Sequence, residues 1–291
     1  MGLDNNIVDS HVHIWTSDTK RYPLAAGFTT ADMWTPSFTP EDLLTHCRRS
    51  GVNRINLVQM TWYGLDHTYI LDVIASDPDH FVGTGMVPAV TDITLADQRD
   101  AMVALARGGI YAFRVRGGSA RPPINDKMDW MDHPGYARMF EAGAEHNLAI
   151  SFLMDPRDIP EVDAMCTRFP ETPVIIDHLG RTHATGGPIS DNDLQALCRM
   201  ARHPKVMVKV GAFYAGGRLP PYSDLLHTIE RVVDTFGPER CMWESDSPLQ
   251  LNSPHTYDDS VALIRDHADF LSRSDKEQLL VKTAEDFFFN R

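Results

Sequence analysis

Residues 7–15 read IVDSHVHIW, an apolar and β-prone run that closes on two histidines one residue apart and a tryptophan. A run of this kind reads as a buried strand over Ile7 to Ile14. If it opened a doubly wound sheet, a glycine-rich phosphate turn would follow it; here His13-Ile14-Trp15 follows instead, so the dinucleotide fingerprint is missing where it belongs. Seven more short apolar runs recur at fairly even intervals, over 55–60, 81–87, 112–115, 149–154, 174–176, 206–210 and 241–243. Segments with helical spacing lie between them, including 41–49, 69–75, 95–107, 136–146, 194–202 and 225–236. Alternating strands and helices imply parallel strands with crossover helices. About eight such units predict an α/β fold closed as a (β/α)8 TIM barrel.

A chain of 291 residues suits one barrel, so a single domain over 1–291 is expected. The formal net charge of −13 argues against a nucleic-acid backbone or an anionic membrane as partner, because both repel an acidic surface. A small anionic substrate needs only a local gathering of positive side chains. Cys47, Cys166, Cys198 and Cys241 are scattered without C-x-x-C spacing, which fits a reduced, cytoplasmic protein. The N-terminal stretch has no basic segment leading into a long apolar run, and no stretch has the length and hydropathy of a bilayer span. Two closing helical patterns, 258–270 and 275–289, end in three phenylalanines expected to pack on the barrel, or on a neighbour in a homo-oligomer.

In a regular strand alternate side chains share a face, so Asp9, His11 and His13 are expected to point into the barrel together. His-x-His is a short motif that chance supplies readily in a chain with thirteen histidines. Position gives it meaning. His178 follows the sixth run and Asp246 follows the eighth, so three strand ends offer His, His and Asp at one rim. In such barrels that rim carries the active site, and hydrolysis needs groups that polarise a carbonyl together with a base that activates water. Gly-, Pro- and polar-rich loops over 16–40, 117–132 and 180–189 would surround it.

The segments DSHVHIW (9–15), VIIDHLGR (174–181) and CMWESDSPLQ (241–250), in that order, resemble the amidohydrolase superfamily. More narrowly they resemble its amidohydrolase 2 branch, which includes 2-pyrone-4,6-dicarboxylate lactonase and lactonases of sugar acids. The resemblance implies a lactone-opening hydrolase in which Asp246 deprotonates water while His178, His11 and His13 polarise the carbonyl. Metal-dependent relatives add a histidine or modified lysine at the end of strand five, where this chain has Ser151 to Pro156. A metal-free site is therefore expected. If a zinc or manganese ion is bound, His11, His13, His178 and Asp246 are its expected ligands. The alternative within the same branch is a metal-dependent decarboxylase of aromatic or muconate-like acids.

Arg114 and Arg116 share one face of strand four, and Arg181 lies three residues beyond His178; their guanidinium groups are expected to anchor a substrate carboxylate. A structural acid could instead claim one of the strand-four pair. Trp15, Trp62 and Tyr214 follow strand ends and could wall a flat ring. Lys209 alternates with valines and needs a buried acid such as Asp9 or Asp177. Glu244 and Ser247 depart from the glycine and tryptophan common in relatives. Glu244 is expected either to repel Asp246 or to bind Lys209.

Overall fold

Eight strands stand side by side in chain order, each parallel to the next: β1 Ile7–Val12, β2 Val52–Val58, β3 Phe81–Gly85, β4 Ile110–Arg116, β5 Ala149–Leu153, β6 Val174–Ile176, β7 Val206–Val210 and β8 Cys241–Trp243. They come from a computed structural model that describes residues 6–90, 97–121 and 130–291. The ring closes where the His13 N–H donates to the Ser247 carbonyl (2.8 Å) and the Asp246 N–H donates to the His11 carbonyl (3.0 Å). Helices α1 Pro40–Cys47, α2 Thr68–Ser76, α3 Gln98–Ala106, α4 Pro134–His146, α5 Ile159–Arg168, α6 Asp191–Arg199 and α7 Leu226–Phe236 link consecutive strands. The expected (β/α)8 barrel is the observed one.

Local chemistry explains the boundaries. Thr39 caps α1 in a reciprocal capping box with Asp42, with Pro40 in the first turn. In α7, Ile229, Val232, Val233 and Phe236 fall on one buried stripe, as a helix laid on a barrel requires. Asp97 caps α3, so the helix expected from residue 95 begins at Gln98; residues 91–96 lie outside the described residues. Helix α5 is an element the spacing analysis did not single out. The loop expected over 117–132 is described at its two ends only. In the tail, α8 Tyr257–Ala262 runs into a π-helical turn, and α9 Arg273–Glu277 continues through a second one into α10 Thr283–Phe288. Phe288 is buried and its two neighbours pack on the core. Among the described residues no helix is long and apolar enough to cross a membrane.

The alternation of β1 fails at one place, and the site depends on it. Asp9 pairs with Ile55 but Val12 pairs with Leu57, so three steps along β1 match two along β2. This bulge re-aims the chain. Asp9 therefore does not share a face with the histidines: it accepts from the Ser245 N–H (3.0 Å) and from the hydroxyl of Tyr257 on α8. His11 and His13 point into the barrel mouth.

Beneath them Lys209 is fully buried and pairs with Asp177 (3.1 Å), which also takes Arg114 (3.2 Å) and the Ser151 hydroxyl (3.0 Å). Removing one partner of a buried pair leaves the other charge uncompensated, at a cost near 3–5 kcal/mol. Because Asp177 keeps Arg114, Lys209→Met is expected to lose about 3 kcal/mol, read as a lower urea midpoint at unchanged slope. A loss below about 1 kcal/mol would contradict the role given to this pair.

Candidate active site

The site is assembled from strand ends whose backbone is bent to aim side chains inward. His178, Leu179 and Arg181 after β6, Ala212 after β7 and Asp246 after β8 all have φ between +52° and +60°. For non-glycine residues this left-handed region costs about 1–2 kcal/mol each and collects at functional sites. Local bonds hold the two central ones: the His178 N–H donates to Glu244 Oε1 (3.0 Å), and the Asp246 N–H to the barrel-closing carbonyl of His11.

These bends bring four of the expected residues together. His13 Nε2 lies 3.3 Å from His11 Nε2 and 3.5 Å from Asp246 Oδ1; His11 Nε2 is 3.7 Å from the same oxygen, and His178 Nε2 is 3.9 Å from Oδ2. Each imidazole is oriented from behind. His13 Nδ1 donates to the Val58 carbonyl (2.9 Å) and His178 Nδ1 to Glu244 Oε1 (2.7 Å). His11 accepts at Nε2 from Arg114 (3.0 Å), and its Nδ1 faces Glu244 Oε2 (3.1 Å) and Lys209 Nζ (3.2 Å). Lys209 therefore serves Asp177 rather than Glu244.

Charge separates their roles. Burial, with Lys209 and Arg114 adding to it, lowers His11 to about 4, so this ring is neutral. Burial works against the charge on His178 too, but Glu244 and Asp246 outweigh it and raise this ring. Burial would likewise raise Asp246, yet His178, His13 and His11 around it hold its carboxyl well below the usual carboxylate range. The expected repulsion by Glu244 is thus corrected: the imidazoles between the two acids dominate. Tyr214, pushed up by burial and by Asp246, remains a donor and bonds Asp246 Oδ2 at 2.6 Å.

A cavity of about 210 Å³ opens over this cluster. Arg114, Arg116 and Arg181 all reach it, but they are not equally free. Arg114 is committed to Asp177 and His11, and Arg181 donates to Asp155 Oδ1 (2.9 Å) with its side chain 43% exposed. Arg116 bonds only Thr61 Oγ1 (2.8 Å), leaves a buried Nε without a partner, and has no ion-pair partner among the described residues. Tyr214 lines the cavity, whereas Trp15 and Trp62 stand behind its wall, buried and edge-on to Trp34 at 5.6 and 5.5 Å. Trp34, half exposed, is the tryptophan that lines the cavity beside Tyr214. It sits in the loop after β1, far from any strand end, and position alone did not mark it.

Comparison with known proteins gives the chain its family. Residues 8–289 match the amidohydrolase family model. The chain belongs to the amidohydrolase family. This amidohydrolase is 30% identical over 258 residues to an L-fucono-1,5-lactonase of Burkholderia ambifaria, covering 85% of this chain and 82% of that one. It is 28% identical over 280 residues to a 2-pyrone-4,6-dicarboxylate hydrolase of Comamonas testosteroni, covering 89% and 82%. A crystal structure of an amidohydrolase from Burkholderia multivorans with bound zinc has the same fold, with a TM-score of 0.75 over 97% of this chain and 99% of that one at 24% identity.

In this amidohydrolase His11, His178 and Asp246 offer one ligand atom each, all within 4.8 Å of one another, so the group could hold a metal ion. Such an ion would supply a polarised carbonyl and a more acidic water. The Arg114 guanidinium, 3.0 Å from His11 Nε2, competes for one of these ligands.

The depressed value of Asp246 sets a sign. Its folded value lies below the ordinary 3.9 or so, so the stability its charge contributes is complete above that range and is lost as pH falls through it. The stability advantage of the parent over Asp246→Asn is expected to stay level from about pH 5 to 7 and shrink below about pH 4 in urea titrations. A carbon-13 signal assigned to the Asp246 carboxylate by its loss in Asp246→Asn, titrating near pH 4, would contradict this.

Proposed function

We propose that this amidohydrolase opens a small lactone bearing an anionic group, without requiring a metal ion. The observation that carries the reading is the convergence of Asp246 and three Nε2 atoms within 4 Å, beside an arginine that has no acid partner among the described residues. The names of the lactonase and pyrone hydrolase relatives support it.

Arg116 binds the substrate's anionic group and so orients the ring. The carbonyl oxygen lies toward the imidazoles, with His178 as principal donor. Asp246 takes a proton from water, the water oxygen bonds the carbonyl carbon, and the carbonyl electron pair moves to the oxygen held by His178. The tetrahedral adduct then collapses, the ring C–O bond breaks, and Asp246 returns its proton to the leaving oxygen. The product is a ring-opened hydroxy or enol acid. At rest Asp246 is a weak base because the imidazoles and Tyr214 stabilise its charge. Substrate relieves this by drawing His178 onto the carbonyl.

Asp246→Asn is expected to lower kcat about 1000-fold with the fold retained, since it removes the general base. Arg116→Ala is expected to raise KM about 10- to 100-fold for carboxylate-bearing lactones while leaving neutral ones nearly unchanged, as the loss of one charge-assisted pair implies. A panel of lactones with and without a carboxylate, assayed on chelator-treated protein, tests both readings. Activity that tracks metal content, or carbon dioxide released from aromatic or muconate-like acids, would overturn the proposal in favour of metal-dependent chemistry or decarboxylation.

A further inference from the structure

Glu244 is fully buried and stands on the side of the imidazoles away from the cavity. Its Oε1 accepts from both the backbone N–H and the Nδ1–H of His178, at 3.0 and 2.7 Å. Its Oε2 lies 3.1 Å from His11 Nδ1, within ion-pair distance, and has no hydrogen-bond partner among the described residues. One carboxylate thus backs two of the rings that face Asp246. It also holds the His178 backbone in its left-handed conformation (φ 54°), which aims the ring from β6 toward the mouth.

Residue 244 packs closely on the end of β7: a Cβ at residue 211 would collide with the Glu244 backbone carbonyl and with its Cγ, so only glycine fits there. The two buried cations beside the site do not need Glu244 for neutrality, because Lys209 and Arg114 both pair with Asp177. A second buried carboxylate, with no lysine or arginine ion pair among the described residues, is costly unless the groups it touches gain positive charge. The groups it touches are His178 and His11.

We propose that Glu244 is a positioning residue: it fixes His178 with Nδ1 turned inward and Nε2 toward the substrate carbonyl, holds His11 with Nδ1 inward and Nε2 toward Arg114, and stabilises the charge that gathers on His178 as it holds the oxyanion. This rests on the lactone-opening reading for its chemistry, but the orientation of the rings does not. Carboxylates behind imidazoles play this orienting part elsewhere, and losing one costs about 10- to 100-fold.

Glu244→Gln keeps the shape and one acceptor oxygen but removes the charge and the second acceptor. It is expected to lower kcat for the best lactone about 10- to 100-fold with KM changed less than about 3-fold. Glu244→Asp, which keeps the charge on a shorter arm, is expected to recover part of that loss. Nitrogen-15 spectra of histidine-labelled protein, assigned with His11→Gln and His178→Gln, supply a readout independent of turnover. In the parent both rings should show a protonated Nδ1, and in Glu244→Gln the His178 signals should move while the unfolding midpoint remains close to the parent's. Moved His178 signals without any lactone turnover in the parent would sustain the positioning role and remove the lactone reading. Unmoved imidazole signals, or kcat equal to the parent's in Glu244→Gln, would overturn the positioning role, as would an equal loss in Glu244→Asp.

Discussion

Burying charge inside a barrel is the constraint from which the site follows. Lys209, Arg114, Asp177, Glu244 and Asp246 lie in or at the edge of a space where an unpaired ion is very costly, so each must touch a partner. Asp177 answers both cations. The other two carboxylates are left to the imidazoles, and Glu244 so fixes which nitrogen of His178 and of His11 faces inward. The geometry of the candidate site is here a by-product of charge satisfaction: the contacts that make the buried ions tolerable also point the Nε2 atoms and a carboxylate at one place.

The barrel was legible in the sequence because it is written in periodicity. Eight apolar runs alternating with helical segments left few other folds, and the run ending in His13-Ile14-Trp15 removed the open sheet. Helix starts were legible to within a residue at α1, which Thr39 caps, and less well at α3, which Asp97 caps and which begins three residues beyond the expected start. What periodicity could not supply was its own interruption. Strict alternation put Asp9 with His11 and His13, and the one-residue bulge in β1 separates them. A bulge depends on pairing with a neighbouring strand, which local sequence does not record.

The candidate site was legible in residue types and strand-end positions, and less so in allegiances. His11, His13, His178 and Asp246 come together because rules about strand ends are geometric. Which arginine is free could not be read, since that depends on Asp155 and Asp177 arriving from other elements. Arg181, expected as an anchor from its place three residues beyond His178, is bonded to Asp155, and among the described residues Arg116 is the one of the three without an ion-pair partner. Glu244 was visible as a departure from its relatives, but its partners were not, because they sit 66 residues and more away. Trp34 was missed because its loop gives no periodic signal.

The most direct test of this account is a crystal structure of the protein with a carboxylate-bearing lactam, a ring that resists opening, bound in the 210 Å³ cavity. The expected result is the ring carbonyl oxygen within hydrogen-bonding distance of His178 Nε2, the carboxylate on the Arg116 guanidinium, and a water between Asp246 and the carbonyl carbon. A ring bound with its carbonyl turned away from the three histidines, or its carboxylate held elsewhere than Arg116, would contradict it.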